Sequence, residues 1–503
     1  MSEFARADFG PGDFGLGDLA VQLIDGELRP ASGGATFTTI DPATEEVLGV
    51  AADGTGVDMD AAIAAARSAF DTDVEGWTTD PGFRARCLRQ LNDAMVAHAD
   101  DLRALTIAEV GAPRFLTGLA QLDSPVADLR WFADLAENYD GWQVDLGEAS
   151  PMGIRARRWA VREPAGVVGA ITPWNFPHQI NLAKLSPALA AGCTVVLKPA
   201  PDTPWCAAVL GRLITSETDI PAGVVNIVNS SDHQLGAQLS ADPRVDVLSF
   251  TGSTDTGRKI MAAAADNLTR VFLELGGKSA FVVLDDADLS SAASLAAFTA
   301  ATHAGQGCAI TTRLLLPKKF YDEGVEIAAA TLTGLGCGDP DDAGTVCGPV
   351  ISARQRDRIE GYLALARDEG GTFAAGGGRP ADRDKGFWIE PTLITGVDNS
   401  ARVAREEIFG PVLVAIPHGG DDDAVAIAND SPYGLSGSIA SADSERAWAV
   451  ARRIRTGTLG INGGIWYGGD VPFGGYKHSG IGREMGVAGF EEYLETKAIA
   501  EGI

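Results

Sequence analysis

None of the six cysteines in this sequence (Cys87, Cys193, Cys206, Cys308, Cys337, Cys347) stands in a CxxC pair or has histidines at metal-ligand spacing. The chain therefore suggests neither a zinc site nor a disulfide framework, and its cysteine usage fits reduced thiols in a cytosol. Basic residues are scarce as well. Forty Lys and Arg against 68 Asp and Glu leave a formal charge of −28, and nucleic-acid affinity rests on clustered Lys and Arg, so no nucleic-acid partner is expected. The acidity reads as a solvated, self-repelling surface. No stretch approaches about eighteen uncharged apolar residues. The opening MSEFARADFGPGDFG lacks a basic segment followed by an apolar run. A cytoplasmic protein with no membrane partner is expected. Internal repeats and low-complexity linkers are also missing.

What is present is an ordinary folded composition, 45% apolar and 21% charged over 503 residues, enough chain for two lobes and an appendage. Residues 1–20 are rich in Gly and Asp and predict a loose leader. VQLIDGELRPAS from Val21 predicts two short strands around a turn. From Asp58 to Leu135 apolar residues recur at three- and four-residue spacing, as in amphipathic helices. GIRARRWAVREP alternates like a half-exposed strand. From Gly166 the runs GVVGAIT, TVVLKPA, VVNIVN, VDVLSFTG and VFLELGG alternate with helical stretches, which indicates βαβ units on a parallel sheet. A second such series runs from AFVVLDD through RLLLP to VLVAIP.

Two signals mislead. Gly10-Pro-Gly12-Asp-Phe-Gly15 matches GxGxxG without a preceding strand or a following helix. Gly277-Lys278-Ser279 resembles the end of a phosphate-binding loop, but Phe272 occupies the position of its first glycine.

The segments that carry chemistry follow predicted strands, where the carboxyl edge of an α/β sheet holds ligands. They are Ile171-Thr-Pro-Trp-Asn175-Phe-Pro177, Lys198-Pro-Ala200, Phe250-Thr-Gly252-Ser253 and Glu274-Leu-Gly-Gly-Lys278; Gly305-Gln-Gly-Cys308 follows a helical stretch. A lone thiol is ordinarily a small buried hydrophobe. Cys308, however, sits in AGQGCAITTR, a flexible and polar setting that suits a reachable thiol converted to thiolate. Such a nucleophile needs a base, for which Glu274 beside a Gly-Gly turn is a candidate. It also needs donors for the oxyanion it creates, for which the Asn175 amide and a backbone N–H are candidates. Taken singly, Glu274 could be a surface acid and Asn175 a turn former.

Together with Glu406-Glu407-Ile408-Phe409-Gly410-Pro411 and Pro472-Phe-Gly-Gly-Tyr-Lys-His-Ser-Gly-Ile-Gly-Arg-Glu484, these motifs stand in the order and spacing of the aldehyde dehydrogenase superfamily, which the chain resembles from about Val21 to Ala500. The resemblance implies an α/β fold of two sheet-based lobes, a Rossmann-type cofactor lobe (21–146 and 167–276) and a catalytic thiol lobe (277–478). It also implies a β-arm for oligomerisation (147–166 and 479–503), and hence a homodimer or homotetramer. The implied reaction is oxidation of an aldehyde to the acid. Cys308 attacks, Asn175 and the Cys308 backbone N–H hold the oxyanion, and Glu274 activates water against the thioester, with Lys184 and Glu484 as proton-relay partners.

For the cofactor the resemblance implies NAD, lined by Ile171, Thr172, Pro173, Trp174, Thr251, Leu275 and Gln355. Gly252, Ser253 and Gly257 would set a helix N-terminus at the pyrophosphate, Lys198 and Glu407 would bond the two riboses, and Phe409 would pack near the ring. Pro201 stands where many NAD-preferring members have a ribose-binding glutamate, which leaves NADP open. The aldehyde tunnel would include Phe176, Ile180, Ala183, Gly307, Ile465, Tyr467 and Phe473. That set is apolar and lacks an arginine to clamp a carboxylate, which favours a medium-chain or aromatic aldehyde. Two rival readings are a CoA-acylating relative, disfavoured by Glu274, and a binding or structural protein on a retired scaffold, disfavoured by the joint presence of Cys308, Glu274 and Asn175.

Overall fold

The computed structural model describes residues 15–503. In the first lobe, Gln22–Ile24 (β1) and Glu27–Arg29 (β2) form a hairpin. Val167–Ile171 (β3), Thr194–Lys198 (β4), Val225–Ile227 (β5), Val247–Thr251 (β6) and Arg270–Glu274 (β7) follow, separated by helices. β3, β4 and β6 are buried nearly end to end, as strands covered by helices on both faces must be. The sheet order is β2-β1-β5-β4-β3-β6-β7. The strands from β5 to β7 are parallel, and Gly480–Ile481 closes the edge antiparallel to β7. The chain winds from β3 through β4 to β5, then returns to the other side of β3 for β6 and β7. The order reverses between β3 and β6, so the loops leaving them diverge and open a crevice.

Two helices set the walls of that crevice. Pro177–Ala191 (α1) follows β3 and is buried almost throughout. Thr254–Ala264 (α2) follows β6 and is capped by Ser253, whose side chain accepts from the Thr256 N–H. The helices at 56–71, 81–97, 99–110 and 123–138 cover the lobe through residues such as Leu88, Leu91, Leu105 and Phe132. A buried carboxylate ties them to the sheet: Glu109 accepts from the Trp205 and Cys206 N–H groups at 2.7 and 2.8 Å, at the start of the helix Pro204–Glu217. A helix N-terminus is a ready anion partner, so this glutamate holds structure together.

The second lobe contains Ser279–Val283 (β8), Thr311–Pro317 (β9), Thr372–Ala375 (β10), Thr392–Thr395 (β11), Val412–His418 (β12), Gly437–Ala440 (β13) and Gly460–Ile461 (β14). Their order is β10-β11-β12-β9-β8-β13-β14. Between β8 and β9 runs Leu289–Ala301 (α3), whose buried face consists of alanines. Side chains this small let the helix lie close against the sheet and deliver the loop 302–310 to the first lobe.

Two boundaries differ from the sequence reading. The antiparallel arm consists of Gln143–Ala149, Ala156–Pro164 and Leu494–Gly502. Residues 479–493 belong instead to the first lobe, because Gly480–Ile481 pairs with β7 and Phe490 and Tyr493 enter its core. The leader is not loose over residues 15–20, since Leu16 and Leu19 are buried in that same core. Except for its last glycine, the Gly10–Gly15 motif lies outside the described residues. Among the described residues no helix is long and apolar enough to cross a membrane.

Candidate active site

The crevice is a cavity of about 900 Å³ that extends from Lys198 and Pro201, past the N-terminus of α2, to Cys308. Of the residues the sequence assigned to a cofactor, Ile171, Thr172, Pro173, Trp174, Lys198, Thr251, Gly252, Ser253, Leu275, Gln355, Glu407 and Phe409 line it, together with Asn175, Glu274 and Cys308. Gly257 does not. It lies inside α2, where a Cβ would come within 2.7 Å of Leu275 Cδ2, so its part is to let the helix approach the turn after β7.

Strand ends place the polar groups. Lys198 ends β4 and is 4% exposed. Its ammonium finds only the Pro199 carbonyl, at 3.4 Å, and burial pulls its pKa down to about 8. A buried ammonium so poorly paired, on the wall of a cavity, calls for an outside acceptor. Glu407 accepts from the Gly277 N–H at 3.0 Å and is pushed up to about 7 by burial. Phe409 adopts φ 61° and meets Trp174 edge to face at 5.4 Å. Gln355 donates to the Phe409 carbonyl at 2.7 Å, holding that strained residue in place.

Glu274 is the last residue of β7 and is buried. Both its carboxylate oxygens lack a formed hydrogen bond, although the Cys308 thiol is close enough to influence it. The Gly-Gly turn after Glu274 makes this approach feasible: a Cβ on Gly277 would sit 2.6 Å from the Cys308 carbonyl oxygen. Burial, reinforced by Glu484, drives the Glu274 carboxyl well above the ordinary range. Burial and the neighbouring Glu274 and Glu407 carboxylates do the same to the Cys308 thiol. The expected thiolate-favouring, flexible setting is thus corrected. Cys308 remains partly exposed, but the loop before it is packed, with His303, Ala304 and Gln306 buried. Burial of the sulfur and the neighbouring carboxylates both favour the protonated thiol.

Lys184 and Glu484 lie off the cavity wall. They form a buried pair at 2.5 Å, and Lys184 also donates to Ser249 Oγ at 2.8 Å. The Asn175 side chain, 2% exposed, spends one N–H on the Gln306 carbonyl at 2.8 Å, which leaves its second N–H unassigned. Behind it stand Gln121 and His303, which no motif marked; their only sequence signal is a polar residue inside an otherwise apolar helical stretch.

The proposed tunnel residues form a less uniform set than the sequence suggested, and none lines the cavity. Phe176 meets His303 edge-on at 5.2 Å, Ile180 and Ala183 are buried on α1, Gly307 packs against Ile310 and Phe473 stacks on Trp466 at 5.5 Å. Ile465 is 89% exposed on this chain, in a loop where Asn462 and Gly463 have positive φ. Tyr467 stands in the field of Cys308 and of Asp128, and its hydroxyl bonds to Gln179. Asp128 is itself buried and pushed up to about 6 by desolvation. The surroundings of Tyr467 are therefore partly polar.

Comparison with known proteins agrees with this geometry. The sequence model described as the aldehyde dehydrogenase family matches residues 29–499. The chain is 41% identical over 484 residues to a 3-succinoylsemialdehyde-pyridine dehydrogenase of a Pseudomonas species, covering 95% of this chain and 97% of that protein. It is likewise 41% identical to the geranial dehydrogenase of Castellaniella defragrans, covering 92% and 94%. The betaine aldehyde dehydrogenase of Staphylococcus aureus, solved with NAD+, superposes with a TM-score of 0.93 at 36% identity over 98% of this chain and 97% of that one. A mutant aldehyde dehydrogenase C of Pseudomonas syringae, solved with NAD+ and octanal, gives 0.90 at 38% identity, with 96% of each chain covered.

Proposed function

Because the chain belongs to the aldehyde dehydrogenase family, whose members oxidise aldehydes with a nicotinamide cofactor, we propose that it does so through a division of labour among Cys308, Glu274 and Asn175. The observation that carries this reading is the meeting of one thiol, one buried carboxyl group without a fixed partner and one amide with a spare N–H at the end of a cavity sized for a dinucleotide. Glu274, once ionised, takes the thiol proton, and the sulfur bonds to the aldehyde carbon. The developing oxyanion receives N–H groups from the Asn175 side chain and the Cys308 backbone. NAD, when bound, would supply the hydride acceptor for the collapse of this adduct, which leaves a thioester on Cys308. Before deacylation Glu274 releases the thiol proton; it then takes a proton from water, the water oxygen bonds to the acyl carbon as the C–S bond breaks, the sulfur recovers that proton from Glu274, and the acid leaves. The pair Lys184 and Glu484, in the field of Glu274, passes the released thiol proton outward.

The cavity residues suit NAD. Lys198 and Glu407 would hold the riboses, and the first turn of α2 behind Ser253 would face the pyrophosphate. Pro201 supplies no acceptor, but Asp202 beside it lines the same wall and stands 3.7 Å from Arg354. A carboxylate there disfavours an added 2'-phosphate. For the aldehyde, an apolar chain of medium length fits Phe176, Ile180 and Ala183, and relatives bear names for geranial oxidation or are solved with octanal. The decisive assay is an aldehyde panel run with NAD and with NADP. Octanal and an aromatic aldehyde should give the highest kcat/KM, and NAD should exceed NADP by at least about tenfold, a difference of roughly 1.4 kcal/mol. Preference for succinate semialdehyde, or for NADP, would overturn the substrate or the cofactor reading respectively.

The arm strands expose most of their residues. Open strand edges of this kind are a liability unless covered, so a homodimer or homotetramer joined through the arm is proposed. Sedimentation equilibrium should give a multiple of the chain mass, and a monomer at micromolar concentration would refute it.

A further inference from the structure

The side chain proposed to hold the oxyanion sits in a loop with no ladder hydrogen bonds of its own, and its orientation has to come from elsewhere. We infer that Gln121 and His303 are positioning residues for the oxyanion step: together they clamp the peptide carbonyl of Asn175, so that the amide above it aims one N–H at Gln306 and the other at the reacting oxygen. This rests on the assignment of Asn175 to the oxyanion.

The geometry is specific. Gln121 Nε2 lies 2.8 Å from the Asn175 carbonyl oxygen and His303 Nε2 lies 2.9 Å from the same atom. Both side chains are fully buried. At 2.9 Å a lone pair on Nε2 would oppose the lone pairs of the carbonyl, so this nitrogen carries the hydrogen and donates. His303 Nδ1 has no partner, and burial lowers the imidazole to about 4. The ring is therefore neutral at working pH, with its one N–H committed to Asn175. The same reasoning orients Gln121, whose oxygen would face the carbonyl if the amide were turned over. Its Oε1 has no partner, which leaves the N–H bond to Asn175 as the role its burial supports.

The clamp closes into a ring. Asn175 Nδ2 donates to the Gln306 carbonyl at 2.8 Å, Gln306 Nε2 donates to the His303 carbonyl at 3.1 Å, and the His303 ring returns to Asn175. Gln306 Oε1 anchors the ring by accepting from the Ile351 N–H at 2.9 Å. His303 and Ala304 have φ of 52° and 50°, left-handed conformations that cost non-glycine residues free energy and persist where the surroundings hold them. The imidazole bond to Asn175 is one of those holds. A rigid ring of this kind is what an oxyanion donor needs, because a donor that must first reorient contributes less when charge develops.

The test compares Gln121→Met and His303→Phe with Asn175→Ala, using the full-length enzyme with octanal and NAD. It reads kcat, the KM for NAD, the first-turnover burst of NADH and the rate at which iodoacetamide alkylates Cys308. Both positioning variants should lower kcat by about tenfold to a hundredfold and lose the burst, somewhat less than removal of an oxyanion donor itself. NAD KM and Cys308 alkylation should stay within about twofold of the unaltered enzyme, as a kcat-only effect demands. Unchanged kcat and burst in Gln121→Met and His303→Phe, alongside a slow Asn175→Ala, would overturn the clamp alone. A fully active Asn175→Ala would remove the oxyanion assignment and the clamp with it. Parallel loss of alkylation and NAD affinity would mark a general disturbance and also overturn it. Should His303→Phe not fold, Gln121→Met decides.

Discussion

Cys308→Ala is expected to abolish aldehyde-dependent NADH formation, a loss of about 10⁴-fold or more, because removing the nucleophile of a covalent mechanism removes a step that no neighbour can supply. Among the described residues Cys308 is the only cysteine on the cavity wall; Cys337 and Cys347 lie in the core and rim of the second lobe. The substitution deletes one sulfur atom at a partly exposed position, so neither packing nor the dinucleotide pocket should suffer. NAD affinity, read by quenching of tryptophan fluorescence, should stay near that of the unaltered enzyme. Steady turnover above the background of an aldehyde and NAD mixture would show that the thiol is not the nucleophile.

Glu274→Gln should separate the two halves of the reaction. The amide has the bulk of the carboxyl but takes no proton, so deacylation should slow by about 10²- to 10⁴-fold, the usual range for loss of a general base. At neutral pH thiol activation should fall too. At alkaline pH, where the thiol ionises unaided, rapid-mixing experiments should recover an NADH burst of one per site, followed by near-arrest with the acyl group on Cys308. Undiminished steady turnover would remove Glu274 from the water-activating role.

The pH dependence of the unaltered enzyme follows from the same surroundings. Both Glu274 and Cys308 have pKa values raised by burial and by neighbouring carboxylates, and both must lose a proton to act. Below a raised pKa the protonated, inactive form dominates, so kcat/KM should climb from the acid side through neutrality into the alkaline range. A profile already flat at about pH 5, where ordinary carboxyl groups are ionised, would contradict this electrostatic picture.

Much of the site was legible because its residues are tied to strand ends. Asn175 follows β3, Lys198 ends β4, Gly252 follows β6 and Glu274 ends β7; in a parallel sheet those positions share one edge, so linear order predicts spatial neighbourhood. The tunnel residues are tied to no such sheet edge. Ile465 was assigned by register within a loop, where linear order does not fix what a side chain faces. Asp128 escaped notice as one polar residue in a helix, and Gln121 as one in the turn before it, since a local pattern marks which positions are buried without naming what lies across from them.

From the sequence alone follow the two α/β lobes, which periodicity marks, and, through the family resemblance of its motifs, the cofactor class and the candidates Cys308 and Glu274. Only the tertiary structure decided the electrostatic surroundings of the Cys308 and Glu274 pair, the ring around Asn175 and the extent of the arm. Each of these depends on groups brought together from distant parts of the chain: Glu484 and Glu407 within electrostatic reach of Cys308, Gln121 and His303 against Asn175, Leu494–Gly502 against Ala156–Pro164. Burial and Coulomb interaction act through space, and a setting that along the chain reads as favourable to a thiolate is, in three dimensions, ringed by carboxyl groups that favour the protonated thiol.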